Sequence, residues 1–295
     1  MKKAFNYLAD LFFSPALRLQ LGRITLFIAI ASFLLHLLLY TIYHYWWGLS
    51  PSGLLSSPIN AIYTPFSFLL VYEAYLLLYY LQHSTTIYVG KQYEIIILIL
   101  IRGVFKDMTH LDLDRSHLMS FNNQELWFDL GTVLVLFILI LLFYKVGGKN
   151  GTGFSTIEVA PLADFRMQRF VQSKKTLSAL LFIVTFAIGI YSFGNWIYDL
   201  RFGGDWAVTP NINAIFFDHF FTLLILADVL ILLFSLFYTD EFPIIIRNSS
   251  FVISTILLKL SFGAESGVAQ LFIITGVGFG VGVSAIANRY MKKFN

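Results

Sequence analysis

Long apolar runs separated by short polar stretches set the pattern of this chain. They fall at residues 24–46, 61–81, 92–105, 126–144, 176–197, 214–238, 243–262 and 267–290. A bilayer core of about 30 Å takes about 20 apolar residues as helix, and most of these runs approach or reach that length. The third is shorter, but Lys91 and Lys106 can reach from its ends to the interfaces. The seventh is long enough when its helix begins at Pro243, because proline suits a first helical turn. Strand-type alternation is absent, which argues against a barrel. The pattern predicts an all-α polytopic membrane protein with eight transmembrane helices.

The basic residues orient these spans. With an inside N-terminus, the inner segments hold most of the Lys and Arg, including Arg18, Arg23, Lys91, Lys145, Lys149, Arg166, Arg169, Lys174, Lys175, Arg247 and Arg289. The other side and its spans keep only Arg102, Lys106, Arg115, Arg201 and Lys259. This bias predicts that both termini are cytoplasmic. Trp46, Trp47, Trp127, Trp196 and Trp206 all fall near the outer interface, where an aromatic belt is expected.

The chain also resembles itself. Leu8-Ala9-Asp10 returns as Leu162-Ala163-Asp164, and Asn60-Ala61-Ile62 returns as Asn213-Ala214-Ile215. Glu73 in the second span matches Asp228 in the sixth, and Arg102 in the third matches Lys259 in the seventh. The spacing, about 154 residues, predicts a tandem duplication. Residues 1–150 and 151–295 are then two four-helix repeats, each with an interfacial lead-in helix (5–20 and 159–173) before its spans. An even number of spans makes the repeats parallel, related by an axis along the membrane normal. The glycine-rich stretch at 147–153 joins them.

Composition agrees with the membrane class. Hydrophobic residues make up 58% of the chain and charged residues 13%. Soluble domains average about 45–50% and about 25%. The net charge of +3 is too weak and scattered for a nucleic-acid surface. With no cysteine there is no disulfide framework and no thiolate chemistry. The first long apolar run starts after Arg23, so no cleavable leader is expected.

Candidate chemistry centres on charges inside the spans. Glu73 lies roughly 13 Å deep, Arg102 roughly 16 Å and Asp228 about 15 Å, counting 1.5 Å per helical residue from the inner face. Lys259 reaches a similar depth if its span is counted from near Ser249. The expectation is two buried pairs, Glu73 with Arg102 and Asp228 with Lys259. Each charge costs at least about 2.5 kcal/mol in lipid, so facing a partner or water is the favourable solution. Such pairs serve either a polar track or helix packing. Glu94, Asp107, Asp218 and His219 are secondary polar candidates. The loop carrying Asp107, His110, Asp112, Asp114 and His117 lacks any established metal spacing, so no metal site and no cofactor are expected. Gly276, Gly278, Gly280 and Gly282 form two interleaved small-residue pairs, suited to close helix packing or to a pore-lining hinge.

Residues 68–107 resemble the phosphate-starvation-inducible E family of small bacterial inner-membrane proteins. The resemblance is carried by Val71-Tyr72-Glu73-Ala74, Tyr79-Tyr80, Ile99-Leu100-Ile101-Arg102 and Val104-Phe105-Lys106-Asp107. It implies a bacterial inner-membrane location and a fusion of two family-like units. The second unit keeps Asp228, Pro243 and Lys259 but has no clear equivalent of Asp107. The resemblance supplies no mechanism.

Three functions are open at this stage. The leading expectation is transport or channel activity, or regulation of it, with a small ion or solute as cargo. The second is a structural or signalling protein that acts through partners. The third, a lipid enzyme using Asp218, His219 and the outer-loop histidines, lacks converging catalytic groups, so the protein is expected not to be an enzyme. Membrane lipids are the certain partners of such a chain. A homodimer and a monomer both fit, and nucleic acid does not.

Overall fold

The fold is described from a computed structural model. It describes residues 12–46, 58–108, 124–147, 165–202, 212–238, 241–265 and 267–294. They form eight long α-helices: α1 (Pro15–Trp46), α2 (Tyr63–Leu81), α3 (Thr85–Met108), α4 (Gln124–Val146), α5 (Phe165–Phe202), α6 (Ile212–Tyr238), α7 (Phe242–Ser261) and α8 (Val268–Phe294). A short 3-10 helix, Pro58–Ile62, leads into α2. Seven helical segments, all but α3, are long and apolar enough to cross a membrane. With its 24 residues, α3 is about 36 Å long, sufficient to cross. Lys91, Glu94, Arg102, Lys106 and Asp107 lower its apolarity.

Residues 5–11 and 159–164 of the expected lead-in helices lie outside the described residues. Residues 15–20 are the first turns of α1, and residues 165–173 are the first turns of α5. Helix α5 runs unbroken for 38 residues, about 57 Å, well beyond a bilayer core. No proline lies in residues 21–23 or 174–175, and α1 continues through Gly22 without a break. Pro15 sits in the first turn of α1, where Ser14 Oγ accepts a hydrogen bond from the Leu17 amide at 3.2 Å.

Neighbours pack in chain order within each half, α1–α2–α3–α4 and α5–α6–α7–α8. The halves meet where α4 packs on α8, α2 on α5 and α3 on α7. A strict twofold would match the α2–α5 contact with an α6–α1 contact. Those two helices make no comparable contact among the described residues. Lys174 Nζ donates to the His83 carbonyl, and Asn288 Nδ2 donates to the Val146 carbonyl. These bonds set the starts of α1, α3, α5 and α7 and the ends of α2, α4, α6 and α8 at one end of the bundle. Arg18, Lys91, Lys145, Arg169, Lys175, Arg247 and Arg289 gather there.

Close packing depends on glycine at two contacts. A side chain on Gly276 would press on Leu257 Cβ and the Ser254 carbonyl, both at 3.2 Å, and one on Gly280 would collide with Tyr93 Oη. Ser254 Oγ donates to the Gly276 carbonyl at 2.7 Å and pairs with Tyr93 Oη at 2.8 Å. Gly278 and Gly282 meet nothing within 4 Å. One glycine pair therefore packs the α7–α8–α3 contact, and the other does not.

The surface shows which solvent these helices suit. Phe27 is 74% exposed, Leu141 69% and Ile286 68%, while the buried core is formed by residues such as Leu77, Leu81, Phe143, Leu224 and Phe251. Large apolar belts of this kind are stable against lipid chains and not against water. The molecule is a helical, multi-span membrane protein.

Candidate functional site

The most polar part of the interior lies where α3 meets α6 and α7. Tyr88 and Gln92 are four residues apart on α3 and share one face. Asp228 and Ser235 are seven apart on α6, as are Asn248 and Thr255 on α7, so each pair also shares a face two turns apart. The antiparallel helices bring Asp228 level with Thr255 and Ser235 level with Asn248.

Asp228 is 6% exposed. Gln92 Nε2 donates to its Oδ2 at 3.1 Å. Thr255 Oγ1 lies 3.3 Å from Gln92 Oε1 and 2.9 Å from the Phe251 carbonyl, so its single proton serves one or the other. Tyr88 Oη faces the same carboxylate but meets no partner in hydrogen-bond geometry. Asn248 Nδ2 donates to Ser235 Oγ at 3.5 Å, and its Oδ1 has no partner. Both orphan atoms are fully buried, a state that normally costs about 1–3 kcal/mol.

Two small cavities flank the Gln92–Thr255 contact. One, of about 20 Å³, is bounded by Tyr88, Asp228, Asn248 and Thr255 with aliphatic neighbours. The other, of about 10 Å³, is bounded by Gln92, Thr255 and Lys259. Cavities of about 10–15 Å³ hold one water. A polar seam thus runs from Asn248 past Asp228 to Lys259, with a small cavity on each side of the Gln92–Thr255 contact.

Lys174 enters from α5 and is only 2% exposed. Its Nζ donates to the His83 carbonyl at 2.9 Å and to Thr85 Oγ1 at 3.3 Å, and it sits 5.1 Å from the centre of the Phe170 ring. Its charge acts on Asp228 without forming an ion pair. His83 lies in the turn between α2 and α3. Burial pushes its imidazole below the ordinary histidine value; a hydrogen bond to the Tyr79 carbonyl opposes this, and the Arg18 and Lys174 charges add to it.

The charges singled out in the sequence fare differently. Glu73 on α2 and Arg102 on α3 act electrostatically on each other yet form no ion pair. Asp228 does not take Lys259 as its bonded partner; its contacts are Gln92, Tyr88, Thr255 and Lys174. Lys259 donates to Thr222 Oγ1, about 9 Å along α6 from Asp228, which lies six residues away. Glu94 accepts from Lys91 at 2.6 Å and from Tyr144 Oη, and so ties α3 to α4. His219 is exposed near the start of α6. The side chains of Asp107 and Asp218, and the loop with His110, Asp112, Asp114 and His117, lie outside the described residues. Among the described residues no group of three or more His, Cys, Asp or Glu could hold a metal ion.

Gln92, Tyr88, Thr255, Asn248 and Lys174 escaped the sequence reading. A signal existed in the four- and seven-residue spacings above, but it marks a face and not the helix that face meets. No family model, curated protein sequence or solved structure matches this chain. The resemblance of residues 68–107 to the phosphate-starvation-inducible E family thus has no support beyond the residues themselves. The helical multi-span membrane class stands without it.

Proposed function

We propose that this protein moves a small ion or solute across a membrane along the seam between α3, α6 and α7. Asp228 is its binding carboxylate. The supporting observation is a buried acid whose direct bonds come only from neutral groups, at the boundary between the two halves of the chain. An ionisable residue at that depth is costly, and transporters commonly place their sites between repeats near the midplane. The repeated neighbour order supports two duplicated four-helix units, 1–150 and 151–295. The basic end is the cytoplasmic one in this reading, with the bacterial inner membrane as location and both termini inside. The test is reconstitution of the full chain in liposomes with a panel of ions and small solutes. Flux that falls to the empty-liposome level in Asp228→Asn is the expected result. Equal flux in wild type and variant refutes the assignment.

A second reading is a structural or signalling membrane protein, or a regulatory partner of a transporter. The tight closure of the seam favours it, as does the Lys174 bond that ties α5 to the α2–α3 turn. Absence of flux for every ion and solute in the panel selects this reading.

A further inference from the structure

The dimensions of the seam restrict its cargo, which deepens the transport reading and rests on it. Of the polar side chains around the 20 Å³ cavity, Tyr88 Oη and Asn248 Oδ1 have no partner and the Asp228 carboxylate accepts from Gln92, whereas the hydroxyls of Thr85, Ser235 and Thr255 already bond to Lys174, the Leu232 carbonyl and the Phe251 carbonyl. The remaining wall is largely aliphatic and aromatic, with Val89, Ile231, Leu232 and Phe251. A hard cation requires about six oxygen ligands. One water requires about three partners and about this volume. It would accept from Tyr88 Oη and donate to Asn248 Oδ1 and to Asp228 Oδ1, the oxygen not used by Gln92.

We propose that Asp228 is a proton-binding site served by one water held between Tyr88 and Asn248, and that the seam passes protons and not metal ions. The step balances simply. A hydronium in the cavity gives one proton to Asp228 Oδ1, an O–H bond breaks as another forms, and a neutral water stays behind. Release is the reverse step toward either cavity.

The surrounding charges fit this cargo. Titratable groups reach the carboxylate's surroundings from three helices: Tyr88 on α3, Lys174 on α5 and, across the second cavity, Lys259 on α7. A metal cation would have to pass two ammonium groups. A proton moves by exchange of O–H bonds and displaces neither. Lys174 is held by the His83 carbonyl and Thr85 Oγ1, both neutral, so it keeps its partners when Asp228 loses its charge.

The full chain is reconstituted in phosphatidylethanolamine–phosphatidylglycerol liposomes with a pH-sensitive dye inside and the membrane potential clamped. Proton uptake after an external pH jump is expected, with sodium and potassium flux at the empty-liposome level. Asp228→Asn should lower the proton rate by about tenfold or more, because the amide cannot take up and release the proton. Tyr88→Phe and Asn248→Leu should lower it severalfold and serve if Asp228→Asn fails to fold. Infrared difference spectra between acid and alkaline pH supply a readout without flux: a carboxylic-acid C=O band, absent in Asp228→Asn and displaced in Tyr88→Phe. Sodium or potassium flux without proton flux overturns this inference and leaves the transport reading intact. A titrating Asp228 band with no flux of any kind sustains the proton site and removes the transport reading. Proton flux unchanged in all three variants overturns the inference, as does the lack of an Asp228 band.

Discussion

The bond between Gln92 and Asp228 offers the sharpest energetic test of the seam. Gln92→Leu removes the donor 3.1 Å from a buried carboxylate. A hydrogen bond to a charged group contributes about 1.5–3 kcal/mol, and an orphaned buried charge adds to the loss, so a cost of about 2–4 kcal/mol is expected. Asp228→Val removes the charge instead and leaves Gln92 Nε2 without its acceptor, at about 1–3 kcal/mol. The cavity of about 20 Å³ beside Asp228 gives the extra methyl volume somewhere to go. In the double variant neither group is orphaned, and Thr255 keeps the Phe251 carbonyl. The two losses should therefore fall short of additivity by about 1.5–3 kcal/mol. The assay is reversible unfolding of the four proteins in mixed detergent, compared at one temperature. Additivity within about 0.5 kcal/mol would refute the bond as a direct interaction.

Four further outcomes are expected. Gly280→Ala should destabilise by about 1–3 kcal/mol, because its methyl group displaces buried Tyr93, whereas Gly278→Ala should be neutral or slightly stabilising; thermal unfolding in detergent that ranks the two alike removes the packing role given to Gly280. The unfolded chain takes up a proton at histidine more readily than buried His83 does. Its contribution to stability is therefore complete above about pH 6.5 and is lost as pH falls toward the folded value, so His83→Gln should flatten the acid limb of a stability–pH curve. Glu73→Gln or Arg102→Gln alone should lower folded yield more than the double change, since each charge acts on the other; a coupling near zero rejects that link. Because the chain has no cysteine, single substitutions at Asn150 and Asn295 can be labelled cleanly, and labelling of either from the periplasmic side alone would reject the inside termini.

Long uninterrupted apolarity decided the class of this protein from its sequence. Runs near 20 residues with basic residues at alternate ends leave a helical membrane protein as the only economical solution, because every backbone group must be bonded within its own segment. The sequence also located the intramembrane acids, since a carboxylate in such a run is conspicuous. It did not reveal that residues 15–20 and 165–173 are continuous with the spans that follow them, because an amphipathic turn and a first transmembrane turn read alike when no proline lies between them.

Tertiary structure decided the partners. Depth arithmetic placed Asp228 and Lys259 at similar heights, but height along an axis says nothing of rotation about it. Packing turns Asp228 toward Gln92 and Tyr88 of the other half, and Lys259 toward Thr222. Lys174 counted as one more inner charge until α5 was seen to pack on α2 and bury it against the His83 carbonyl. The glycines of α8 likewise looked equivalent in sequence. Only contact with Tyr93 and Ser254 separates Gly276 and Gly280 from Gly278 and Gly282. Hydrophobic period and charge are written locally in the chain, whereas the face each helix presents to a distant neighbour is set by packing among all of them.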